Sequence, residues 1–124
     1  MDNTLARIVA QGSRSQEYSV PAILAGETLT IHTEDIFPAL RPWFPLDYLE
    51  VVNNSAQNIT LYLGSIAEAI TIPSYMIKPI VRRSFMQFGL MNNGVVDTNV
   101  NEILVRVRRL PPDVQVVMSG GTIR

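Results

Sequence analysis

The stretch "VVDTNVNEILVRVRR", Val95 to Arg109, decides how the chain is read. Its second half alternates. Ile103, Val105 and Val107 fall on one side of an extended chain, and Glu102, Leu104, Arg106 and Arg108 on the other. That is the pattern of a strand with one face in a core and the other toward solvent. Arg109 falls in line with the apolar set, so the core face is expected to end at Val107. The first half invites a rival reading, because Asp97, Asn99 and Asn101 have the one-three-five spacing of oxygen ligands in a calcium loop. An EF-hand also needs Gly at the sixth position and a bidentate Glu at the twelfth, followed by a helix. Here those positions hold Glu102 and Arg108, and a strand follows. The segment reads as a polar turn feeding a strand, and no metal is expected.

Outward from this strand the same grammar recurs. Segments rich in Val, Ile, Leu, Thr and Tyr alternate with turn residues, and helical periodicity is scarce. Strands are expected near 4–10, 17–24, 27–33, 47–53, 58–64, 69–73, 77–91 (broken in two), 102–109 and 113–118. So many short strands predict an all-β fold, a single β-sandwich of jelly-roll-like or immunoglobulin-like type. Ala25-Gly26 and Asn93-Gly94 read as tight hairpins, and Asn53 to Asn58 as a turn whose side chains bond their own backbone. Pro38, Pro42 and Pro45 exclude a regular strand or long helix from residues 34–47. That segment is expected to cross from one sheet to the other, with Asp35 capping a short turn. Its Ile36, Phe37, Trp43 and Phe44 are too apolar for an idle loop and are candidate contacts. The sandwich is assigned to residues 17–118, with a strand, arm and hinge at 1–16 and a tail at 119–124. Both ends read as extended arms.

Composition bounds the function. The 124 residues are 47% apolar and only 17% charged, where a typical domain has about 25% charged residues. Such an apolar excess predicts surface buried against other copies. Cysteine is absent, so there is neither a disulfide nor a thiolate site. No apolar run is long enough to span a membrane as a helix, and the start, with Asp2, does not read as a secretory signal, so none is expected. Synthesis in a cytoplasm is expected. Charge is uneven: residues 1–76 hold three arginines against eight acids, and residues 77–124 seven bases against three acids.

Catalysis is not expected. His32 is the only histidine, and its nearness to Glu34 and Asp35 reads as a surface ion pair or a satisfied polar position rather than a metal site. No nucleophile motif or phosphate loop occurs, and no cofactor is predicted. Arg82, Arg83, Arg106 and Arg108 are candidate contacts for an acidic partner surface. Nucleic acid is disfavoured, since single-strand binders interleave bases with stacking aromatics. Here Phe85 and Phe88 stand three apart, on opposite strand faces unless a bulge intervenes. A carbohydrate-binding module, displaying Trp43, Phe44, Tyr48, Tyr62 and Tyr75, is the alternative.

The run "LEVVNNSAQNITLYLG…AITIP…KPIVRRSFMQFGLMNNG…NEILVRVRR" resembles the small all-β structural proteins of virus particles, particularly the decoration or cement proteins of tailed-phage (bacteriophage) heads. The resemblance is one of style, without an invariant motif, and it carries over no functional residue. It implies a non-enzymatic homo-oligomer, such as a trimer, made in the host cytoplasm and seated in the virion. Its partners would be copies of itself and other capsid proteins.

Overall fold

The computed structural model describes residues 12–63 and 68–112. They form mostly β-structure: β1 (Gln16–Ser19), β2 (Thr28–His32), β3 (Leu46–Asn53), β4 (Ile59–Leu63), β5 (Ala69–Ile72), β6 (Ile77–Phe85), β7 (Gln87–Asn92) and β8 (Ile103–Arg108). One helical turn, α1 (Thr33–Ile36), and a 3-10 helix (Pro38–Trp43) lie between β2 and β3. The expected strands at 4–10 and 113–118 fall outside the described residues.

Two four-stranded antiparallel sheets result, in the orders β1-β8-β3-β6 and β2-β7-β4-β5. β8 carries the predicted alternation: Ile103, Val105 and Val107 are buried and their neighbours only half so. These three meet Leu49 and Val51 of β3, and together with Ile31, Leu61, Phe88 and Leu90 of the second sheet they form one core. Each such fully buried side chain contributes about 2 kcal/mol of hydrophobic stabilisation.

The pairing corrects several local expectations. Of the seven links between consecutive strands, only that from β4 to β5 stays within a sheet. Ala25-Gly26 and Asn93-Gly94 therefore do not close hairpins. A turn does form at Gly26, which has φ 78°, but it leads from β1 in one sheet to β2 in the other. Asn93 begins a ten-residue crossing to β8, because β7 is already flanked by β2 and β4. β1 also ends earlier than expected, at Ser19, since Pro21 has no N–H to continue a ladder. Phe85 and Phe88 do not face opposite ways. The chain changes sheets at Met86, and both rings enter the core, 5.8 Å apart and edge to face.

The proline-rich segment crosses between sheets as expected. Thr33 fixes its start, donating from both its N–H and its hydroxyl to the Met86 carbonyl at 3.0 and 2.8 Å. Phe37 and Leu40 are buried, and Phe37 meets Tyr18 edge to face at 6.3 Å. Phe37 is thus a core residue rather than a contact residue. Ile36, Trp43 and Phe44 are partly buried against the same core. On the edge strand β6, Pro79 and a bulge at Arg82 (φ 63°) interrupt the row of backbone groups that another strand would need. At Gly12 (φ 86°) an added Cβ would stand 2.7 Å from the Arg109 carbonyl, so the close approach of this segment to the end of β8 requires glycine.

Candidate functional site

The antiparallel order sends four connections to one end of the sheets: residues 20–27, 54–58, 73–76 and 93–102. Two asparagines hold them together. Asn53, fully buried at the end of β3, donates to the carbonyls of Gln57, Ile72 and Pro73 at 2.8, 3.2 and 3.1 Å. Its side-chain oxygen accepts from the Ser55 N–H at 3.0 Å and the Ser55 hydroxyl at 2.6 Å. Asn92, equally buried at the end of β7, donates to the carbonyls of Ile23 and Val96, each at 2.9 Å, and accepts from the Gly94 N–H at 2.8 Å. Asp97 accepts from the Ala25 N–H, and the Thr98 hydroxyl from the Ile23 N–H, both at 2.8 Å. Satisfied amides of this kind replace a regular ladder, because a buried backbone group without a partner is costly.

This braced end is apolar on its outside. Of the nine large apolar side chains exposed among the described residues, seven sit here or on the first residue of β6: Leu24, Tyr75, Met76, Ile77, Val95, Val96 and Val100. Val95 is 91% exposed and Tyr75 68%. The four connections contain three carboxylates, Glu27, Asp97 and Glu102, and no Lys or Arg. Sequence reasoning missed this site. The available signal was the run of valines within "NGVVDTNVN", where a loop has no core of its own to fill.

The opposite end is basic. Arg14, Arg41, Arg82, Arg83, Arg108 and Arg109 gather there with Glu34, Asp35, Asp47 and Glu68. Asp47 lies near the guanidinium groups of Arg82 and Arg109 at 3.7 and 3.9 Å, and it accepts from the Leu110 N–H at 2.7 Å. Arg83 pairs with Glu68. Arg109 also donates to the carbonyls of Trp43 and Pro45 at 3.3 and 2.9 Å. Between the ends, on the outer face of the first sheet, Glu17, Arg106 and Glu50 form a cross-strand row. There the Arg106 guanidinium donates to Glu17 at 2.8 Å and to Glu50 at 3.2 Å. Those bonds push the Arg106 pKa up. Burial, reinforced by a hydrogen bond to Glu50, raises the Tyr48 hydroxyl above its ordinary value. Three of the four candidate arginines thus have acids within the chain, and Arg108 has a buried Nε without a partner among the described residues.

The remaining candidates are not brought together. Asp97 and Glu102 are each taken up by a backbone N–H, of Ala25 and Asn99 respectively. Among the described residues no three metal-ligating side chains cluster. Trp43 and Phe44 pack against the core, and Tyr62 reaches the Met91 sulfur at 3.6 Å. Tyr75 stands apart at the loop end, so these rings make no common platform. A groove of about 580 Å³ does open at the basic end, lined by Arg14, Gln16, Ala39, Leu40 and Trp43 among others. No helix among the described residues is long and apolar enough to cross a membrane. No protein-family model matches the chain, and no curated protein matches it.

Proposed function

We propose that this protein is a non-enzymatic structural subunit that works by self-association within a larger particle. The observation that carries this reading is the braced loop end with its seven exposed apolar side chains. Apolar surface concentrated on loops contributes nothing to the core, and in monomeric proteins large contiguous patches are uncommon. The hydrogen-bonded asparagines beneath it limit the ordering that association would require, which favours contact formation.

The fold we propose is a jelly-roll sandwich rather than an immunoglobulin-like one. The nested pairing of β1 with β8, β2 with β7, β3 with β6 and β4 with β5 supports it. It is the pattern of one long hairpin wound around a core, with eight strands in two equal sheets. Immunoglobulin constant-type domains divide seven strands into four and three. Jelly rolls are common in virus capsids. With the resemblance in strand and turn style, this favours a virion structural subunit of the capsid decoration or cement type, with copies of itself and capsid proteins as partners.

Sedimentation velocity of the purified chain over a wide concentration range, in low and high salt, tests the reading. A discrete oligomer that forms with rising concentration and survives high salt is expected, because apolar burial is not screened by ions. A monomer under every condition would overturn it.

A further inference from the structure

We infer that copies of this chain associate head to tail, the apolar loop end of one seating on the groove at the basic end of the next. This rests on the self-association reading and names the two surfaces that meet. The loop end presents Val95, 91% exposed, with Val96 and Val100 also exposed on the same connection. The groove at the other end, about 580 Å³, has Ala39, Leu40 and Trp43 among its lining residues. It accommodates aliphatic side chains of that size.

Charge sets the polarity of the contact. The four connections of the loop end carry Glu27, Asp97 and Glu102 and no base; the nearest is Lys78, next to Ile77 on β6. Arg14 lines the groove, and Arg41 stands on the same 3-10 helix as Ala39 and Leu40. Both arginines are exposed, and neither has an acidic partner among the described residues. Loop end against loop end would bring two sets of carboxylates together, whereas loop end against groove pairs carboxylates with arginines. A contact between two different surfaces is heterologous, so it closes into a ring or continues as a stack.

Two double variants at exposed positions separate the arrangements: Val95→Asp with Val100→Asp at the loop end, and Arg14→Glu with Arg41→Glu at the groove. Circular dichroism checks that each is folded, and sedimentation reads association. Each variant alone is expected to lose about tenfold or more in self-association, because each buries unpaired or like charge at the contact. Mixed in equal amounts, they are expected to form a dimer that grows no further, since one intact groove then meets one intact loop end. If the arginine variant alone assembles like the unaltered chain, the groove is not the receiving surface and the head-to-tail contact is overturned, while self-association stands. If the mixture stays monomeric although the unaltered chain assembles, the head-to-tail contact is likewise overturned. A monomeric unaltered chain would instead remove the self-association reading beneath it.

Discussion

At one end of the two sheets, four connections turn Leu24, Met76, Val95, Val96 and Val100 outward and keep their amides inward, on Asn53 and Asn92. At the other end, the crossing from β2 to β3 does the reverse. It buries Phe37 and Leu40, packs Trp43 against the core and shows solvent Glu34, Asp35 and Arg41. Both ends must satisfy backbone that has left the ladders. The proline-rich end does so with short helical turns and fills the space below with rings. The loop end does so with side-chain amides beneath the connections; Val20 and Ile23 still reach the core, while Leu24, Val95, Val96 and Val100 stay at the surface. An apolar residue in a loop is therefore informative about partners only where the loop's interior is already taken.

Removing the aromatic plug should have the largest effect. Phe37→Ala should cost about 4 kcal/mol of folding stability in chemical denaturation, as buried phenylalanines do. A loss as small as that of a surface residue would mean the proline-rich end is not part of the core. Asn53→Ala tests the opposite end. Three carbonyls and the Ser55 groups lose their partner, and about 3 kcal/mol is expected, the upper range for stranding buried polar groups. Hydrogen exchange should quicken across residues 54–58 and 73–76 and leave the β2–β3 crossing unchanged. Replacing Val95 and Val96 with serine should change stability by no more than about 0.5 kcal/mol, as for exposed sites, while measurably weakening association by sedimentation. An unchanged association constant would make the exposed valines incidental.

The smallest effect concerns the face between the two ends. The Tyr48 hydroxyl, desolvated and bonded to Glu50, ionises above its ordinary value. A group whose pKa is raised on folding contributes stability that is fully present below the unfolded value of about 10, and that is lost as pH rises through the folded value. Tyr48→Phe should therefore flatten the alkaline decline in stability measured by denaturation over that range. A decline of equal steepness in the variant would place its origin elsewhere.

Much of the fold was legible in the sequence because period-two alternation follows directly from burial on one face. Ile103, Val105 and Val107 announce β8, and the three prolines announce an irregular crossing. The break of 77–91 into two strands was legible too, but not its consequence. Phe85 and Phe88 share the core because the chain changes sheets at Met86, and no local pattern records that. The same blindness produced the two hairpins: Ala25-Gly26 and Asn93-Gly94 do specify backbone that turns, but turn chemistry does not say which sheet receives the next strand. The candidate contacts show a parallel limit. Apolarity alone drew attention to Phe37 and Trp43, whereas exposure, a property of the assembled chain, picks out Val95 and Tyr75.

In the proposed assembly the loop end is covered when copies associate. Hydroxyl-radical footprinting read by mass spectrometry measures this directly, because Tyr75 and Met76 are reactive side chains at that end, 68% and 54% exposed. Comparing the dilute chain with the associated form, we predict that oxidation of Tyr75 and Met76 falls on association. Equal oxidation of both residues in the two states would contradict the account.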